Sequence, residues 1–98
     1  MALSASLVGR GAKRLTPAGL PALDLTLRHD RTVQQLGRPR QLRFEMHAKA
    51  IGPVVESLLA QSLGSEAAYE GFIGAHRNGR GIVFHIERVE SIPAPLSN

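Results

Sequence analysis

Five short runs of the chain read as strands, and three of them show it by strict alternation of apolar and polar residues. The first spans Ala2 to Arg10, with Leu3, Ala5 and Leu7 set against Ser4 and Ser6. The second, Leu20 to Arg28, points Leu23, Leu25 and Leu27 one way and Asp24, Thr26 and Arg28 the other. The third, Arg40 to Ala50, alternates most sharply. Leu42, Phe44, Met46, Ala48 and Ala50 form its predicted core face, and Arg43, Glu45, His47 and Lys49 the other.

Gly52-Pro53 ends the third strand, because proline removes a ladder donor and fixes the backbone. Val54 to Leu63 then carries Val55, Leu58 and Leu59 at helical spacing, with Gly64 as the expected stop. A fourth strand is expected over 67–77 and a fifth over 82–92. Asn78-Gly79 between them is the strongest short hairpin signal in the chain. Lys13 to Gly19 reads as a basic turn, and His29 to Pro39 as a long polar loop, a mobile hairpin tip. Residues 93–98 form a short proline-containing tail expected to fray. With no internal repeat or linker, residues 1–98 are expected to form one domain.

Five strands with a short helix between the third and fourth is the order of the OB-fold, a five-stranded all-β Greek-key barrel. Gly9, Gly11, Gly71 and Gly74 stand where a barrel needs bulges or corners. Strand count alone also admits an SH3-like barrel or a plain sandwich; the helix favours the OB-fold.

Charge changes the picture. Residues 1–49 carry nine Lys/Arg against three Asp/Glu, and residues 50–98 three against five. Basic residues at alternate strand positions and loop tips suit a polyanion, a phosphate backbone first of all. The absence of cysteine excludes disulfides, thiolate metal sites and cysteine nucleophiles. Histidines 29, 47, 76 and 85 fall at no metal-ligand spacing, so no metal or other cofactor is expected. No nucleophile elbow, P-loop or dinucleotide fingerprint is present, and the expectation is a non-enzyme. The first residues lack the charge order of a secretory signal, and no apolar run approaches a membrane span, so a cytoplasmic location is expected.

Four segments in order carry a resemblance over nearly the whole chain: Lys13-Arg-Leu-Thr-Pro-Ala-Gly-Leu-Pro, Leu25-Thr-Leu-Arg-His, Glu70-Gly-Phe-Ile, and Asn78-Gly followed by Val83-Phe-His-Ile-Glu-Arg-Val-Glu-Ser-Ile. The chain resembles the family of primosomal replication protein N, or PriB, relatives of bacterial single-strand DNA-binding proteins. That resemblance implies a homodimeric, non-enzymatic OB-fold that binds single-stranded DNA. It also implies assistance to the PriA helicase at stalled forks and recruitment of a downstream primosome protein.

Nucleic-acid contact is expected from Lys13 and Arg14 in the first loop, Arg38 and Arg40 at the long loop, and Arg43, His47 and Lys49 on the third strand. Arg77 and Arg80, beside the Asn-Gly turn, complete the set. The alternative for each is an ordinary solvated surface. The family commonly places stacking aromatics where Arg38 and Arg43 stand here, and a basic residue where Asp30 stands. These departures predict weaker and more salt-dependent DNA binding, with arginine a partial substitute for stacking. Tyr69, Phe72 and Phe84 are assigned to the core or a dimer interface. Two other readings stay open: an OB module that mainly docks onto the helicase, and an RNA-binding OB domain.

Overall fold

The computed structural model describes residues 1–75 and 81–91. His76, Arg77, the Asn78-Gly79 turn, Arg80 and the tail lie outside the described residues.

Alternating residues form the strands expected of them. They are β1 (Ala2–Arg10), β2 (Arg14–Leu15), β3 (Pro21–Gln35), β4 (Arg38–Ile51), β5 (Glu66–Ala75) and β6 (Ile82–Ser91), with helix α1 (Val54–Leu59) between β4 and β5. The sheet order β1-β5-β6-β4-β3 closes on itself through a β1–β3 pairing, and β2 adds two residues beside β3. All pairings are antiparallel except β4–β6. This is the five-stranded OB barrel that the element order predicted.

β1 serves two neighbours in succession, Glu66–Glu70 of β5 along Ala2–Ser6 and then Leu25–Arg28 of β3 along Ser6–Arg10. A bulge between Leu7 and Gly9 makes the switch. The inward rows close the core: Leu7, Leu23, Leu27, Val55, Leu58, Tyr69 and Phe84 are fully buried. Tyr69 keeps its hydroxyl satisfied by accepting from Gln61 Nε2 at 2.8 Å.

Three expectations need correction. The polar segment 29–39 is not a loop. β3 and β4 run on past the barrel as a two-stranded arm, in register from His29↔Phe44 to Gln35↔Arg38. Leu36 and Gly37 turn it, with φ of +54° and +76°, the two positive values a two-residue type I′ hairpin requires. Helix α1 is also shorter than expected and ends at Leu59. Beyond it the backbone turns to β1, where Gly64 N–H donates to Leu7 O at 2.6 Å and Leu7 N–H to Ser65 O at 3.0 Å. Arg10 reaches the same segment and donates to Leu58 O, which also accepts from Gln61 N–H, and to Gln61 O, tying the end of the helix to β1. Finally, Phe44 lies on the core-facing row but beyond the barrel's end, so it is 45 % exposed.

Candidate nucleic-acid interface

The outward rows of β3, β4, β6 and β5 meet beside the first loop and form a groove of about 800 Å³. Arg14, Leu15, Thr16 and Pro17 wall one side. His47, Lys49 and Ile51 lie along it, with Ala75, Val83 and His85 at the far side. Register places the chemistry. Asp24 pairs with Lys49, Lys49 with His85, and His85 with Phe72, so one row crosses four strands on one face.

The first loop is ordered by its own backbone. Thr16 N–H donates to Leu20 O, and Leu20 N–H returns to Thr16 Oγ1. Its two cations are both engaged. Arg14 Nη2 lies 3.3 Å from Asp24 Oδ2, and Lys13 turns away from the groove to Glu56 in α1 at 2.8 Å. Both pairs are solvent-exposed, where such contacts contribute little and a phosphate competes readily. Lys49 has no ion-pair partner among the described residues.

The arm separates residues that the sequence grouped together. Arg43 continues the groove face, since Asp30, Arg43, Thr26 and His47 belong to the same outward rows. Arg38 and Arg40 belong to the opposite face, in the row of Leu42 and Phe44. Arg40 donates there to Gln35 Oε1 at 2.9 Å. On the groove face, Arg43 Nε donates to Asp30 Oδ1 at 2.7 Å, and Arg28 Nε stands 3.3 Å from Asp30 Oδ2 without hydrogen-bond geometry. The hydrogen bond from Arg43 holds the Asp30 carboxyl below its ordinary range. Desolvation opposes this, and attraction to Arg43 and Arg28 adds to it.

Sequence reasoning put Lys13, Arg14, Arg38, Arg40, Arg43, His47 and Lys49 on one nucleic-acid surface. The structure gathers Arg14, His47 and Lys49 in the groove, extends that face to Arg43, and sets Lys13, Arg38 and Arg40 elsewhere. Arg77 and Arg80 are outside the described residues. Of the aromatics assigned from sequence to the core or a dimer interface, Tyr69 and Phe84 are buried, and Phe72 is 52 % exposed in the single chain and so is not a core residue. Strand parity carries that distinction: with Tyr69 inward, Phe72 three residues on must point outward.

Among the described residues, no three His, Asp or Glu side chains gather as a metal site, and no helix is long and apolar enough to cross a membrane.

Residues 1–88 match the model of a family described as another single-strand binding protein family. Replication restart protein PriB of Bordetella pertussis is 36% identical over 95 residues, covering 96% of this chain and 89% of the relative. Its counterpart in Yersinia pseudotuberculosis is 29% identical over 96 residues, covering 94% of this chain and 91% of the relative. The solved structure of PriB from Ralstonia solanacearum superposes with a TM-score of 0.79 at 30% identity, over 93% of this chain and 94% of that one. The single-stranded DNA-binding protein of Thermus aquaticus shares the fold, with a TM-score of 0.77 at 20% identity, over 96% of this chain and 50% of that one. The barrel, the match across its length and the likeness to PriB proteins agree: the chain belongs to the PriB family of OB-fold replication restart proteins.

Proposed function

We propose that the protein binds single-stranded DNA without catalysis, along the groove and the Arg43 face of the arm, and acts in replication restart. The observation that carries this reading is the groove on one side of the OB barrel, where Arg14, His47 and Lys49 line a single face that continues to Arg43. Cations along one such face can track a phosphate backbone without reading sequence. In the cell, such binding would stabilise and stimulate the PriA helicase at stalled forks and help bring in a downstream primosome protein.

A homodimer is part of the proposal. On the β3 side, Ala2–Ala5 of β1 have no ladder partner among the described residues, and Ser4 O there accepts from His29 Nδ1 at 2.7 Å. A second copy paired along that edge would cover it. Sedimentation as a monomer at micromolar concentration would exclude this arrangement.

One observation favours a second reading, an OB module that mainly docks onto the helicase. Lys13, Arg14 and Arg43 are already ion-paired within the chain, which reduces the charge offered to DNA. Fluorescence anisotropy with labelled single-stranded DNA across salt concentrations separates the two. Binding through three to five phosphate contacts gives a log–log slope of about −2 to −3.5. Negligible binding, with a response only when the helicase is added, selects the docking module.

A further inference from the structure

Phe72 is exposed and carries a second ring against one of its faces. The occupied face stacks on His85, with centroids 4.8 Å apart and planes within 15° of parallel. The residue as a whole stays 52 % exposed.

The backbone fixes this pair. A Cβ on Gly71 would stand 1.8 Å from His85 O, so β5 and β6 approach more closely here than any side-chain-bearing residue permits. A Cβ on Gly74 would come within 2.9 Å of His85 Nε2, so the missing side chain at 74 is what lets the imidazole lie against the sheet. Two glycines and a ladder pairing therefore hold a two-ring stack in place before any ligand arrives.

The surroundings narrow the ligand. Lys49 lies across the ladder from His85 on the same face, about 10 Å from Phe72 by two strand spacings. On the other side, Glu70 and Arg88 form an ion pair at 3.2 Å. Among the described residues, the neighbours of Phe72 on this face include Glu70, His85 and Arg88, and a ring so surrounded offers little to an apolar protein surface, which needs a contiguous patch. It matches the flat face of a single nucleobase, with a cation in reach of the adjoining backbone.

We propose that the exposed ring of Phe72, backed by His85, is a base-stacking platform for single-stranded nucleic acid, with Lys49 taking a neighbouring phosphate. The proposal rests on the DNA-binding reading of the groove. It supplies stacking from β5, whereas β4 presents Arg43 and the arm tip Arg38.

The test uses a short single strand carrying 2-aminopurine, titrated at low salt with the full chain, Phe72→Leu and Phe72→Trp, each first checked for an unchanged denaturation midpoint. The native protein should quench the probe on binding. Phe72→Leu should bind about 5- to 100-fold more weakly with the quench lost, and Phe72→Trp should retain both. Native affinity and quench in Phe72→Leu overturn the platform while leaving the groove reading intact. A native chain that does not bind the strand at all sinks the groove reading, and the platform with it. Unchanged DNA binding with a lost helicase response in Phe72→Leu assigns the ring to a protein contact and equally overturns the proposal.

Discussion

Arg43 and Asp30 face each other across the β3–β4 ladder, and the guanidinium Nε donates to the carboxylate at 2.7 Å. Arg28 stands 3.3 Å from the second oxygen, so one carboxylate is shared by two cations on the face proposed to meet DNA. If DNA runs along this face, Asp30 competes with phosphate for both cations. Asp30→Asn should tighten single-stranded DNA binding severalfold and steepen the salt slope by about 0.7 for each additional phosphate neutralised. Unchanged affinity and slope would mean that the arm's groove face does not touch the DNA backbone.

The same pair has a pH signature. A carboxylate whose pKa is lowered in the folded state stabilises the fold above its unfolded pKa, and that contribution is lost as pH falls through the folded value. Since the hydrogen bond from Arg43 is the leading cause, carboxyl-detected NMR should place the Asp30 midpoint below 3.8. In Arg43→Ala it should move upward. A midpoint at or above 3.8 in the native protein contradicts the pairing.

Gly71 is required by packing rather than by flexibility. Gly71→Ala would drive its Cβ to 1.8 Å from His85 O, a backbone clash that no side-chain rotation relieves. Urea denaturation should show a loss of about 3 kcal/mol or more. A loss within experimental error would mean that the β5–β6 bulge can shift to accept a side chain.

The arm's turn carries a residue ill-suited to its backbone. Leu36 holds φ +54° and is 97 % exposed, so no packing offsets a left-handed conformation that costs a residue with a side chain about 1–2 kcal/mol. Leu36→Asn creates the Asn-Gly pair that a type I′ turn prefers. Slower amide exchange along 29–35 and 38–44, with the barrel unaffected, is the expected result. Faster exchange there would contradict the turn geometry.

The barrel was legible in the sequence because each of its strands has one wet and one dry face, which is what a period-two pattern records. The arm was legible only in part. Alternation reached back to Arg40 on the β4 side, but over 29–39 it carries no signal even though the pairing continues. Alternation assigned Phe44 to the correct row, but nothing in it reports where the barrel beneath that row ends. Phe72 could have been read from its parity with Tyr69, and the general preference of aromatics for burial prevailed over that count. The early end of α1 depends on Gly64 meeting Leu7, and the engagement of Lys13 on Glu56, 43 positions away. Both are tertiary facts with no local trace. The division of the basic residues between two faces was hidden for a related reason, since a loop has no parity and a strand does.

That division gives the account its most direct test. Anisotropy titrations of a single-stranded oligonucleotide should compare a groove variant, His47→Ala with Lys49→Ala, against an opposite-face variant, Arg38→Ala with Arg40→Ala. Each removes two side chains from exposed or half-buried positions, so both should remain folded. The account predicts a clear loss of affinity with a shallower salt slope for the groove variant, and a smaller loss for the other. Native binding by the groove variant, with the loss confined to Arg38 and Arg40, would contradict it and move the DNA to the reverse face of the arm.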